Sequence, residues 1–412
     1  MSNQGDSYWS IVWRQFRKNR AAWWALWALL PLFVVSIFAP VLASDRPFVY
    51  HDRGQWLFPW FRELFHTEEP SDYFFNMALV VFLPWAAAAW WLNRRWRRRG
   101  MNRPRRLLRT LGLYAALTLA AAVAFSFPAL RPDNLYFQRQ FIREEFRDPQ
   151  RWGVYAPIPF GPVTIDADAF YRPPMYTKPA AEWTRANDYF PHLLGTDGGG
   201  RDVLVRLIYG TRLATTVGFV AVGLYLTIGV IVGALAGYFG GKVDMIISRV
   251  IEVMLVFPAF FLILTLVGFL GQSIYIIMVV IGITGWPTIA RLIRGEVLKQ
   301  RNMEYVLAAL SQGAGHGRVL FRHVLPNALS PALVAAPFGI ASAIIVEAGL
   351  SLLGFGVRPP APSWGALLRE AHGNYEYWWL IVFPSLAVFF TVTLFNLVGN
   401  GLRDAMDPRL RQ

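Results

Sequence analysis

The chain has no cysteine, which excludes disulfides, thiolate nucleophiles and cysteine metal ligands and leaves the fold to packing alone. Histidine is scarce. His51, His66, His192, His316, His323 and His372 are scattered, with no HExxH or comparable ligand pair, so no metal centre is expected. A nucleotide loop is missing too. Gly240, Gly241 and Lys242 resemble the end of one, but Ala236 stands where the leading glycine belongs and Val243 follows the lysine. The run from Gly195 to Asp202, GTDGGGRD, lacks the strand-to-helix setting and the lysine, and reads as a turn cluster held by Asp197 and Asp202. Internal repeats and low-complexity linkers are absent as well, and no cofactor is expected.

What fills the 412 residues is apolar: 55% are hydrophobic, 17 are tryptophan, and only 16% are charged. This is the composition of an all-α polytopic membrane protein. The net charge of +14 raises nucleic acid as a partner for a soluble chain, but the basic residues lie between apolar spans, and nucleic acid is rejected on that placement. Apolar windows predict about eight transmembrane helices, near 22–43, 74–92, 107–127, 213–237, 247–270, 274–290, 328–350 and 379–399. The first follows the basic cluster Arg14, Arg17, Lys18 and Arg20, and is too long for the apolar core of a signal peptide, so it reads as an uncleaved helix.

Charge orients these spans, because Lys and Arg in short loops favour the cytoplasmic side. With the N-terminus inside, the cytoplasm receives nine arginines between Arg94 and Arg109, then Lys242 to Arg249, Arg291 to Arg322, and a tail with Arg403, Arg409 and Arg411. Both termini are then cytoplasmic. Arg201, Arg206 and Arg212 are exceptions on the outer side, where long loops translocate largely regardless of charge. Expected units are 1–72, a cytoplasmic segment with the first span and a short outer loop; 73–127, an accessory hairpin; 128–211, an extracytoplasmic cap with a hairpin around Trp152 to Ile165; and 212–412, the transmembrane domain proper.

Within the spans, Gly229, Gly233 and Gly237 share one helix face and permit close helix packing. Pro258, Pro287, Pro337 and Pro384 are candidate kinks or hinges. Arg249 sits three residues before Glu252, forming an ion pair on one face. Glu347 has no such neighbour; a carboxylate at the bilayer centre costs roughly 2.5–3.5 kcal/mol, so it faces protein or water and is the candidate residue of a translocation pathway. Between the last basic span and the next lies Glu304 to Asn327, EYVLAALSQGAGHGRVLFRHVLPN. It begins as a short helix presenting Leu307, Ala308 and Ala309. Gly313, Gly315 and Gly317 then interrupt regular structure before Val324, Leu325 and Pro326.

From about His192 to Pro408 the chain resembles the second permease subunit of bacterial ABC importers for dipeptides, oligopeptides and nickel. The resemblance rests on HLLGTDGGGRDVLVRLIYGTR, EYVLAALSQGAG, RHVLPNALSP, EAGLSLLGFGVRPPAPSWGALL and RDAMDPRL. The N-terminal WRQFRKNRAAWWALWALL, APVLASDRP and APIPFGPVTI look more like the oligopeptide and microcin-importing branch than the nickel branch. The resemblance implies a six-helix type I importer core, to which the 73–127 hairpin is an addition of unassigned role, with packing or lipid contact as the default. It implies a coupling loop, 304–327, that docks an ABC ATPase subunit through a motif of Glu-Ala-Ala, three residues, glycine, about ten residues, and Ile-x-Pro. Ala308, Ala309, Gly313, Val324 and Pro326 match. Leu307 replaces the glutamate, and Glu304 is the candidate substitute, with Tyr305 and Leu307 as apolar anchors. It also implies a homologous permease partner, an extracytoplasmic substrate-binding protein, and location in the bacterial inner membrane. The alternatives are transport of nickel complexes or oligosaccharides, or, from another class, a membrane-embedded transferase, for which the sequence offers no polar catalytic cluster.

Overall fold

Asn19 separates an amphipathic helix from the first apolar span. In this computed structural model, which describes residues 8–67, 70–132, 148, 150–183 and 188–407, α1 (Tyr8–Lys18) precedes α2 (Arg20–Leu42). The Asn19 carboxamide accepts from the Ala22 N–H at 3.1 Å, capping α2, and donates to Asp404 near the other end of the chain at 3.0 Å. Helix α1 was not expected from the sequence. Its buried residues, Val12 and Phe16, are one turn apart, and Phe16 packs beside Gly401 with Ala22.

After α2 the chain makes a small sheet at the end of the bundle away from α10, the end expected from the charge pattern to be the outer one. Strand β1 (Val49–Asp52) turns through Arg53 and Gly54, both at positive φ, into β2 (Gln55–Leu57), as a two-residue hairpin requires. Helix α3 (Pro59–Glu63) follows, and then α4 (Pro70–Arg98) and α5 (Arg103–Ala124) form the accessory pair. Strand β3 (Arg151–Val154) completes the sheet in the order β2-β1-β3. This corrects the hairpin expected around Trp152 to Ile165. The antiparallel partner of β3 is β1, about a hundred residues earlier, with Asp52 opposite Arg151 and His51 stacked on Trp152.

The remaining elements are α6 (Val203–Phe239), α7 (Gly241–Val256), α8 (Ala259–Leu270), α9 (Ile274–Gln300), α10 (Glu304–Ser311), α11 (His316–Val319), α12 (Leu325–Ala328), α13 (Ser330–Leu352), α14 (Trp364–Glu370) and α15 (Trp379–Met406). Among the described residues seven single helices are long and apolar enough to cross a membrane, and α7 with α8, bent by 85°, makes an eighth if it counts as one span. The stretch 247–270 is therefore broken where a continuous span was expected. Pro258 lacks an N–H and disfavours helix at Phe257, which is extended at φ −76° and ψ 132°. Of the four prolines expected as hinges, it alone stands at a break; Pro287, Pro337 and Pro384 lie inside continuous helices. The outer segments 133–147 and 184–187 and the tail residues Arg409 and Arg411 lie outside the described residues.

Helix α6 is the axis of the bundle, packing against α2, α9 and α13. Its 37 residues make it about 55 Å long, well beyond a hydrocarbon core of about 30 Å, and it starts ten residues before its apolar window. That overhang carries two of the three exceptional arginines, Arg206 and Arg212, and Arg201 lies just before it. Arg212 is fully buried, and its guanidinium donates to the carbonyls of Ser36 and Ile37 on α2, to Asp72 at 3.1 Å and to Asn76 at 2.9 Å on α4. A guanidinium has five donors in a fixed fork, which suits a junction of three helices.

Lower down, Gly229, Gly233 and Gly237 face α9. An added Cβ would fall 2.7 Å from Ile289 at Gly229, 2.5 Å from the Ala290 carbonyl at Gly233, and 2.7 Å from the Arg294 carbonyl at Gly237. Backbone meets backbone here.

Replacing Arg212 with Ala strands Asp72 beside a hole in the outer junction and is expected to destabilise the chain by about 3–5 kcal/mol. Thermal unfolding of the detergent-purified protein checks this, and Asp72→Asn in the same chain should recover part of the loss.

Candidate functional site

The loop between α9 and α13 begins with a turn, Arg301-Asn302-Met303, that is anchored before it leaves the bundle. Arg301 donates to the Gly237 and Tyr238 carbonyls at 3.1 and 3.3 Å, satisfying the last turn of α6, and the Arg294 guanidinium donates two hydrogen bonds to the two carboxylate oxygens of Asp244 on α7. The eight residues of α10 then present two faces. Val306 is fully buried, and Ala309 and Leu310 pack partly against the same core. Glu304, Leu307, Ala308 and Ser311 are exposed on the opposite side, with Leu307 at 53%.

Tyr305 is divided between these roles. Its ring is 40% exposed, but its hydroxyl donates to Gln300 at 2.9 Å and accepts from Asn327 at 3.3 Å, tying the start of the loop to its end. Gly313 ends α10. Its N–H bonds to the Leu310 carbonyl and that of Ala314 to Ala309, the paired bonds of a Schellman cap, with Gly313 at φ +81°. An added Cβ there would meet nothing within 4 Å. Glycine is needed at 313 for its backbone conformation, and within this chain not for close approach.

The stretch after Gly313 differs from the irregular loop that its glycines led us to expect. Gly315 precedes α11 at an ordinary φ of −64°, and Gly317 lies inside that helix. A π-helical turn, Leu320–Val324, carries on into α12, with the Leu325 N–H reaching the Leu320 carbonyl. The ring of Pro326 supplies the cause, since it cannot donate to the carbonyl four residues back and the ladder slips by one. Pro326 is exposed and Val324 buried. His316 is bonded to the Tyr238 hydroxyl at 3.0 Å, a second tie from the loop to the end of α6.

Glu347 lies elsewhere, near the outer end of α13, and is 2% exposed. Its carboxylate accepts from Ser351 at 2.7 Å and Ser363 at 2.9 Å, joining α13 to the N-cap of α14. In this conformation it is enclosed by its own chain. Glu252 pairs with Arg249 at 2.7 Å on the surface of α7.

The run from Gly195 to Asp202 is the turn that its sequence describes, with Asp202 capping α6, and around Asp197 it builds a buried ion cluster that the sequence did not announce. Asp197, fully buried, accepts from the Gly199 and Arg201 N–H groups and from the guanidinium groups of Arg201 and Arg206. Both arginines also reach Glu370 of α14, at 3.2 and 3.4 Å, and Glu370 accepts from the Gly198 N–H. Burial, reinforced by Asp197, raises the Glu370 carboxyl above its ordinary value against the pull of Arg206 and Arg201. The glycine run around it is a packing requirement: a Cβ at Gly200 would lie 1.8 Å from the Asp166 carbonyl and one at Gly198 2.3 Å from the Tyr171 hydroxyl. The sequence signals were the turn-forming aspartates and two arginines, Arg201 and Arg206, at odds with the expected charge orientation; Glu370, 173 positions on from Asp197, had none.

Beside the Arg212 junction is a cavity of about 230 Å³ lined by Trp60, Glu63, Asp45, Arg46 and Thr164 among others. Although 30% of the Glu63 side chain is open, it opens into this cavity. Desolvation, with Asp45 adding to it, pushes its carboxyl up to about 8, while Arg46 at 3.8 Å pulls the other way.

The family described as binding-protein-dependent transport system inner membrane component matches residues 229–412, and the N-terminal TM domain of oligopeptide transport permease C matches residues 7–59. The dipeptide transport system permease protein DppC of Alkalihalophilus pseudofirmus is 40% identical over 221 residues, 53% of this chain and 73% of that protein. The oligopeptide transport system permease protein OppC of Haemophilus influenzae is also 40% identical over 221 residues, 53% of this chain and 71% of that protein. The inner membrane ABC transporter permease protein YejE of Escherichia coli is 29% identical over 396 residues, 96% of each chain, an alignment that runs across α4 and α5.

Two outcomes follow from the geometry of these sites. Gly313→Ala forces a side chain into left-handed backbone and should cost about 1–2 kcal/mol, measured by thermal unfolding, with no steric clash to add to it. For Glu63, the folded chain keeps a proton between about pH 4.5 and 8 that the unfolded chain releases, so stability should fall as pH rises through that window. In Glu63→Gln the melting temperature should lose this part of its pH dependence.

Proposed function

The chain belongs to the family of binding-protein-dependent transport system inner membrane components, and on that premise we propose that it is the permease subunit of an ABC importer that carries di- and oligopeptides into the cell. The relatives named for dipeptide and oligopeptide transport support the substrate class. The observation that carries the mechanism is α10, a short helix buried on one side through Val306, open on the other through Leu307 and Ala308, and braced to α6 and α9 by Arg301 and Tyr305.

A partner ATPase docks on that open face, with both chain termini on the same, cytoplasmic side. The helix enters a groove as a rigid body, Leu307 supplies apolar contact, and Ala308 lets the partner surface approach. Closure of the ATPase pair on ATP moves α10, and the bracing carries the displacement to α9 and α6. Substrate crosses without covalent change. A second, homologous permease packs against α7 and α8, whose Val256, Phe261 and Phe269 are 80%, 66% and 87% exposed. An extracytoplasmic binding protein delivers the peptide to the outer cap. Glu347 serves the pathway as a positioning residue, fixing the outer end of α13 to α14.

Ala308→Trp tests the docking surface without straining the chain, because the position is helical and exposed. The variant is expected to insert and melt like the parent, to lose copurification with the ATPase subunits, and to lose uptake of labelled peptides by the reconstituted complex at least tenfold. Normal uptake would sink the docking role. Uptake of nickel complexes or oligosaccharides by the parent complex, with no peptide uptake, would overturn the substrate class and leave the docking role standing.

A further inference from the structure

We propose that the cytoplasmic end of the accessory hairpin, from Arg94 to Arg109, is a binding surface for the headgroups of anionic phospholipids in the inner leaflet. The proposal rests on α4 and α5 crossing the membrane and not on what the protein transports.

Nine arginines lie in these sixteen positions, and the sequence has no Asp or Glu from residue 73 to residue 132. Counter-charge has to come from outside the hairpin. Among the described residues none of the nine has a recorded carboxylate partner; the contacts of their guanidinium groups are instead with tryptophan faces, Arg94 over Trp90 at 4.3 Å, Arg95 over Trp91 at 5.4 Å and Arg109 over Trp96 at 5.9 Å. These contacts hold the cations in place along the helix ends. Trp90 and Trp91 are themselves 62% and 55% exposed, as rings are at the level where acyl chain gives way to headgroup.

The two ends of the hairpin are not equivalent. At the last turn of α4, Arg95, Arg97 and Arg98 suit the negative end of the helix dipole. At the first turn of α5, Arg103, Arg105 and Arg106 stand at the positive end, where anions are favoured, and there is no acidic residue and no side-chain cap from Asn102. Arg106 is half-buried, and its Nε is closed from water with no acceptor. A guanidinium N–H facing no protein acceptor, among like charges at a helix start, suits an anionic partner. A phosphate provides one: it accepts from guanidinium forks, and the flanking faces of α4 and α5, with Leu83, Leu107, Leu108 and Leu119 61–75% exposed, are placed to meet its acyl chains. Serving as a membrane-side anchor gives the added hairpin a role separate from the transport helices.

The experiment places the full-length chain, in complex with its copurifying subunits, in nanodiscs and titrates phosphatidylglycerol against phosphatidylcholine, reading retained lipid by native mass spectrometry. The parent should retain phosphatidylglycerol selectively, less so at high salt. Replacing Arg103, Arg105 and Arg106 together with Gln leaves five arginines at the end of α4 to hold the orientation. This variant should lose the preference by at least about tenfold, and the same three positions changed to Lys should keep most of it, which separates a charge effect from misfolding. Arg106→Gln alone should shift the preference in the same direction by less. Equal retention by the parent and the triple Gln variant overturns the proposal. So does a triple Gln variant that keeps its lipid but sheds a subunit, since the surface then serves a protein.

Discussion

In a bilayer a polar group finds no water to bond with, so each buried donor and each buried charge has to be answered from within the protein. The outer end of α6 is where that constraint is most demanding, because Arg206 and Arg212 both lie there with 1% or less of their surface open. Each is answered by different pieces of chain. Arg212 takes its acceptors from α2 and α4, and Arg206 takes Asp197 from the turn before α6 and Glu370 from α14. Two arginines about two turns apart on one helix therefore fix α2 and α4 on one side and the α14 segment on the other. Neutralising either pair by removing one partner leaves a buried charge, so the outer assembly stands or falls as a unit.

The inner half of the same helix is held by a different physics. Gly229, Gly233 and Gly237 bring the backbones of α6 and α9 into contact, and dispersion over that seam does what ion pairs do outside. Arg301 and the Arg294–Asp244 pair then lock the neighbouring ends of α6, α7 and α9 together just before α10 departs. A force on α10 meets α9 first and α6 immediately after, and α6 runs without a break from there to the outer clusters. Beside this arm, α7 and α8 are bent at Pro258 and present apolar residues outward, so they belong to a surface and not to the rigid axis.

Sequence alone made the long helices legible, because runs of about twenty apolar residues have few other uses. The α10 region was legible for a local reason, since small residues followed by glycine describe a short helix and its cap. What escaped depends on partners distant in the chain. Glu347 was singled out as a carboxylate without a cationic neighbour, yet its partners are hydroxyls, one a turn away at Ser351 and one sixteen residues on at Ser363. Strand β3 found β1 across a hundred residues, and Asp197 gathers Glu370's arginine partners across 173 positions of sequence separation by virtue of α14 folding back. Pro258 was one of four candidate hinges, and the sequence did not single it out because proline is tolerated inside α9, α13 and α15, so its presence does not say which helix will break.

Leu307 is the point at which α10 departs from the pattern it otherwise follows, and the structure gives that departure a physical meaning. Its neighbour Val306 is buried, so the helix already has its inward anchor, and Leu307 stays 53% exposed with no internal use. Fully covering a leucine side chain is worth about 1.5–3 kcal/mol relative to leaving it in water. A charged residue at that position would contribute an interaction that salt screens over about 10 Å and that is worth about 1 kcal/mol or less at an exposed site. The docking proposed for α10, built on Leu307 and Ala308, would thus draw its energy from area removed from water, hold its strength as ionic strength rises, and leave Glu304 at the rim, where charge governs the approach of a partner more than the grip on it.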